Sequence, residues 1–235
     1  MRPLFLFLSV AFFVTSCETT RPTTQAGPTQ DHPGEDTLIT QSLFNDRSSN
    51  ISEENIQKVL DGSYRLPSTL RIAIVRLEGS RQQRYFWNDE LYLKTQQSYL
   101  DSFTARLRSS PRVTTIATIP DLMISKSPSF TNIREAAVRM QCDMVLVYSI
   151  TGDLYSRYKA FSSPDIKAFA TTQLILMDVR TGLIPFSATV TRDFFSKKTK
   201  EDLDFSQARD RVLNEAALAT INDTGQKIVG FLAQK

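Results

Sequence analysis

The chain has 235 residues, 28 Lys+Arg against 25 Asp+Glu, and one histidine. A side-chain balance this close to neutral gives no electrostatic footprint for nucleic acid, and a lone histidine leaves little room for histidine-based catalysis or metal ligation. With 41% apolar residues, the chain can build an ordinary hydrophobic core.

The first element is an apolar run, Leu4–Val14, preceded by Arg2. It is too short to span a bilayer and has the charged and apolar regions of a secretory leader, predicted over residues 1–16. Val14-Thr15-Ser16-Cys17 resembles a bacterial lipobox, in which Cys17 carries the lipid and becomes the first mature residue. Acyl chains contribute about 0.8 kcal/mol per buried methylene, enough in combination for firm membrane attachment. Glu18, not aspartate, follows the cysteine; by resemblance to known sorting rules this implies the outer membrane. The remaining thiol, Cys142, then has no disulfide partner and reads as a small buried residue.

Residues 17–50 are rich in Thr, Pro, Gln and Gly, with no apolar period, and read as a disordered lipidated tether. Its end-to-end distance would be on the order of 30 Å. The folded part is expected over 51–235. Ser52, Glu53 and Glu54 open a helix that ends near Asp61-Gly62. Leu70–Leu77 is apolar on both faces, as an interior strand requires. Between this strand and the next helix stand Arg84, Tyr85, Phe86 and Trp87, with Arg81, Asp89 and Glu90 beside them. Clustered aromatics with arginine suit either a protein interface or the edge of the core.

A helical period runs from Asp89 to Arg108, and a strand from Arg112 to Ile119 that Pro120 closes. A shorter helix is predicted from about Asn132 to Gln141, with Asn132 and Glu135 at capping-box spacing. Met144–Ile150 is the densest apolar run and reads as a central strand. A loop at 153–165 follows, in which Tyr155, Arg157, Tyr158 and Lys159 form a second candidate partner-binding cluster. Two strands joined at Arg180-Thr181-Gly182 read as a hairpin; on the second, a buried series is broken by Arg192. A helix from about Ser206 to Phe231 closes the chain, weakened late by Gly225. The predicted fold is α/β: a single-domain sandwich with a mixed sheet of about five strands, the C-terminal ones antiparallel, packed by helices.

Chemistry is sparse. His32 falls in the tether, where no base can be held against a substrate. No glycine-rich phosphate cradle is present. Ser125 and Lys126 are adjacent, so on a strand they point to opposite faces and cannot form a catalytic pair. Asp153, Asp165 and Asp193 read as carboxylates near turns, satisfying loop backbone. The expectation is a non-enzymatic protein with no cofactor, metal or small-molecule ligand, whose partners are the membrane, through lipid on Cys17, and another envelope protein.

The stretches LRIAIVRLEG, RVTTIATIPDLM, NIREAAVRMQCDMVLVYSI and LMDVRTGLIPFSATV, in this order, resemble the periplasmic domain shared by the curli-secretion-channel lipoprotein (CsgG) and the penicillin-binding-protein activator lipoprotein (LpoB). Cys142 stands where that family usually has glycine, and Leu183 follows the turn where it usually has a charged residue. The resemblance implies one of two behaviours: an oligomeric channel, or a tethered module regulating a peptidoglycan synthase or similar partner. Channel strands need roughly nine to eleven alternating residues each. The segment from Asp153 to Lys167 reads as too short and too charged for that, which favours the tethered module and leaves a subunit of a secretion or envelope assembly as the alternative.

Overall fold

The computed structural model describes residues 37–38, 52–77, 90–124, 128–159 and 162–234. The leader, Cys17, His32, the Arg84–Trp87 cluster and the Ser125-Lys126 pair lie outside them. Thr37–Leu38, within the stretch read as a tether, pairs in parallel with Gly62–Ser63.

Five strands make the main sheet: β1 (Leu70–Arg76), β2 (Val113–Thr118), β3 (Met144–Lys159), β4 (Ser162–Asp178) and β5 (Phe186–Lys197). Their spatial order is β2-β1-β3-β4-β5. β1 pairs in parallel with β2 and β3, while β3–β4 and β4–β5 are antiparallel. The fold is therefore the mixed-sheet α/β domain that the sequence predicts. Four α-helices are described, α1 (Glu53–Asp61), α2 (Glu90–Arg108), α3 (Phe130–Arg139) and α4 (Phe205–Leu232), with a short 3-10 turn at Asp121–Met123.

The connections explain the layering. From β1 through α2 the chain steps outward to β2; from β2 through α3 it steps back across β1 to β3. Right-handed crossovers in opposite directions place their helices on opposite faces. One core accordingly joins Ile72, Ile74, Leu146 and Leu176 to Phe103 and Leu107 of α2 and to Val212, Ile221 and Ile228 of α4. The other joins Ala73, Val75, Val145, Val147 and Met177 to Ile133, Ala136 and Ala137 of α3.

The termini of these helices have local causes. Ser52 caps α1 by accepting from the Asn55 amide at 3.3 Å, and Asp204 caps α4 by accepting from the Gln207 amide at 2.8 Å. In α3 the cap is Ser129, which accepts from the Asn132 amide at 3.2 Å, so the helix starts two residues before the predicted Asn132. It ends just before Gln141, whose φ of 57° is the left-handed turn common at helix C-termini.

The main departure is the length of β3 and β4. The predicted loop at 153–165 is mostly strand, paired in register through Tyr155↔Lys167 and Arg157↔Asp165. The charges there alternate with residues facing α4, such as the fully buried Ile166 and Ala168, and this alternation is the strand period. The length premise against long hairpins therefore fails, although the apolar face of this hairpin is committed to the protein core. Asp153, Asp165 and Asp193 likewise sit on strands, not at turns: Asp193 pairs with Lys167, and Asp165 is buried with Lys197 3.8 Å away. Arg192 breaks the buried series of β5 because it reaches α4 and pairs with Asp223.

Candidate functional site

The 28-residue α4 packs along one face of β3–β5, in the core that α2 shares, whereas the ten-residue α3 packs on the other face near Val145, Val147 and Met177. Beyond Val147 and Ile175 the described side chains of β3, β4 and β5 on that second face are mostly exposed or half-buried, Asp165 excepted. Strand registers set out its side chains in rows across β3, β4 and β5: Ser149–Gln173–Thr189, Thr151–Thr171–Thr191, Asp153–Phe169–Asp193, Tyr155–Lys167–Phe195 and Arg157–Asp165–Lys197.

This surface is organised. The Tyr155 and Phe169 rings stack with centroids 6.0 Å apart and planes 21° apart. Tyr155 is 56% exposed and Phe195 61% exposed, although large apolar rings on a sheet face usually find cover. Lys167 Nζ lies 2.8 Å from Asp193 Oδ2, and its donated hydrogen bond holds the Asp193 carboxyl below the usual carboxylate range. The Thr171 and Thr191 hydroxyls share a hydrogen bond of 2.8 Å. At the foot of the face a shallow groove of about 330 Å³ opens between Phe130 of α3 and Val147, Ser149, Gln173 and Thr189 of the strands. Rigid exposed rings ringed by charges are the composition of a protein-docking surface.

Two predicted partner-binding residues, Tyr155 and Arg157, are on this face. Tyr158 stands at the register break between Arg157 and Lys159, and its side chain lies outside the described ones. Phe169, Phe195, Lys167 and Asp193 are additions that the strand period could have supplied: in TRDFF, Phe194 turns inward, so Phe195 turns out.

Elsewhere the ionisable groups tie the fold together. Arg71 grips Asp143 with its backbone amide, Nε and Nη2 at 2.8–3.1 Å, which lowers the Asp143 carboxyl and ties β1 to the start of β3. Asp178 accepts from the Thr181 amide and hydroxyl at 2.7 and 3.0 Å and from Tyr64 Oη at 3.0 Å, fixing the turn where Gly182 takes a φ of 77°. Cys142 is buried, its thiol directed at the Met140 carbonyl at 3.6 Å, and burial pushes its pKa up, away from the reactive thiolate. Among the described residues no group of three His, Cys, Asp or Glu side chains could hold a metal ion, and no helix is long and apolar enough to cross a membrane.

No family model and no curated protein matches the chain. Solved structures are similar to it in outline. A hypothetical protein of Chlamydia trachomatis has a TM-score of 0.41 and 11% identity, covering 70% of this chain and 98% of its own. A minor lipoprotein of Acinetobacter baumannii has a TM-score of 0.33 and 8% identity, with 68% and 89% covered. The lipoprotein GNA1162 of Neisseria meningitidis has a TM-score of 0.30 and 12% identity, with 72% and 100% covered. Bacterial lipoproteins thus recur among these likenesses, which do not single out the curli-secretion or synthase-activator type.

Proposed function

We propose that this chain is a lipoprotein of the bacterial outer membrane, anchored through Cys17, whose folded domain is a non-enzymatic module that binds an envelope protein such as a peptidoglycan synthase. The observation that carries the reading is the pair of exposed rings, Tyr155 and Phe195, held on paired strands and flanked by charge. Strand-borne rings lose little side-chain entropy on docking, so each contributes most of its buried area to affinity. The predicted leader and Cys17 supply the address, and the long polar segment after Cys17 supplies reach.

A photo-crosslinking residue at Tyr155 or Phe195 in intact cells tests it. The expected result is a discrete adduct with one envelope protein, absent when the same residue replaces exposed Leu93 on α2. Replacing Phe195 by alanine should weaken the Tyr155 adduct about tenfold. Equal labelling from Leu93, or labelling by abundant proteins alone, would remove this face as the docking site.

A further inference from the structure

We infer that the open face of β3–β5 also pairs with the same face of a second copy of this chain, in one register set by charge. The inference rests on the reading of that face as a docking surface and names one occupant of it. The row Tyr155–Lys167–Phe195 is flanked on one side by Asp153 and Asp193, and on the other by the cations Arg157 and Lys197, between which Asp165 is buried with Lys197 3.8 Å away. A half-turn about that row lays a second copy face to face with the first and reverses its strands. Arg157 then meets Asp153 of the second copy and Lys197 meets its Asp193, each contact occurring twice, as an isologous interface demands. Tyr155 and Phe195 lie on the axis against their own counterparts. Lys167 also lies there, drawn aside to its own Asp193.

The alternative half-turn, about the strand direction, would bring each row onto itself, Asp153 against Asp193 and Arg157 against Lys197. Like charges then oppose, so the surface selects a single arrangement. Asp153 Oδ1 accepts from the Leu154 amide at 2.8 Å, and neither Asp153 nor Arg157 forms an ion pair among the described residues. Three strands about 4.8 Å apart and three rows about 6.8 Å apart give a patch on the order of 300 Å² per copy. That is under half of the roughly 800 Å² per partner in a stable interface, so the pair is weak in dilute solution and forms where chains are crowded on one surface.

The test is sedimentation equilibrium of the full chain, purified in detergent, at low salt and rising concentration. Asp153→Arg or Arg157→Asp alone should weaken self-association about tenfold. The double variant Asp153→Arg/Arg157→Asp should recover it, because the pair is exchanged on both copies. An equimolar mixture of the two single variants should also associate. One variant then carries cations at both positions and the other carries anions at both, so each of the two contacts again joins opposite charges. A parent chain that stays monomeric up to about 1 mM, or association indifferent to the single changes, overturns the inference. Neither result touches the reading of this face as a partner site, which stands or falls on the heterologous adduct at Tyr155.

Discussion

Asp202 shows how single side chains hold this fold. It precedes α4 with its side chain 3% exposed. Its carboxylate accepts from the Thr199 amide at 2.7 Å, the Thr199 hydroxyl at 2.9 Å, and Arg211 Nε and Nη2 at 2.9 Å each. The Arg211 hydrogen bonds, then those from Thr199, hold its pKa well below the ordinary range. Asp143 and Asp193 are lowered as well, by Arg71 and Lys167. A carboxyl whose folded pKa is depressed adds stability that is complete above its unfolded pKa of about 3.9 and is lost as pH falls toward the folded value. Thermal midpoints should therefore hold steady from pH 7 to about 5 and fall steeply below about 4. Asp202→Asn should lower the midpoint at pH 7 and flatten the acid limb, because the neutral amide keeps some hydrogen bonds but loses the charge. An acid limb of unchanged slope would show that this clip contributes nothing to acid sensitivity.

At the level of elements, periodicity made most of the fold legible. The two-faced apolar strand at Leu70, the helical stripe ending in Phe103 and Leu107, and the turn at Thr181-Gly182 each carry their signal within a few residues. The outer half of the β3–β4 hairpin was not legible. Arg157, Asp165 and Lys167 look like loop charges until pairing reveals that they alternate with inward residues, and pairing is a property of two strands at once. Gly152 belongs to the same hairpin and lets it pass under α4. A Cβ there would stand 2.7 Å from Leu213 Cδ1 and 2.8 Å from the Phe169 carbonyl oxygen. Gly152→Ala should cost about 1–3 kcal/mol in denaturant unfolding. Adding Leu213→Ala should not restore stability, because the carbonyl of the neighbouring strand cannot move aside. Full recovery in the double variant would place the strain on the leucine alone. Gly225, whose effect on α4 reads from sequence as a weakness, instead gives Arg106 room to cross the helix toward Asn222.

For the whole molecule, the informative feature is the unequal cover of the two sheet faces. Sequence alone gives no account of it, since it follows from the strand order β2-β1-β3 and from a second crossover helix of only ten residues. That open face and the anchor predicted at Cys17 make a joint claim that one variant separates. If lipid on Cys17 holds the chain on a membrane, Cys17→Ala should move it to the soluble envelope fraction, because no described helix can span the bilayer in its place. Release also removes the crowding that a small self-complementary patch needs. A bis-maleimide bridge between Tyr155→Cys chains, efficient for the anchored form, should then drop at least about tenfold at equal cellular amounts. The single-point contacts at Asp153 and Arg157 are untouched by the change, so loss of the bridge reports proximity and not a damaged face. Membrane retention of Cys17→Ala would sink the lipid anchor. Release with an undiminished bridge would mean that the pair is stronger than its area allows and forms without the membrane.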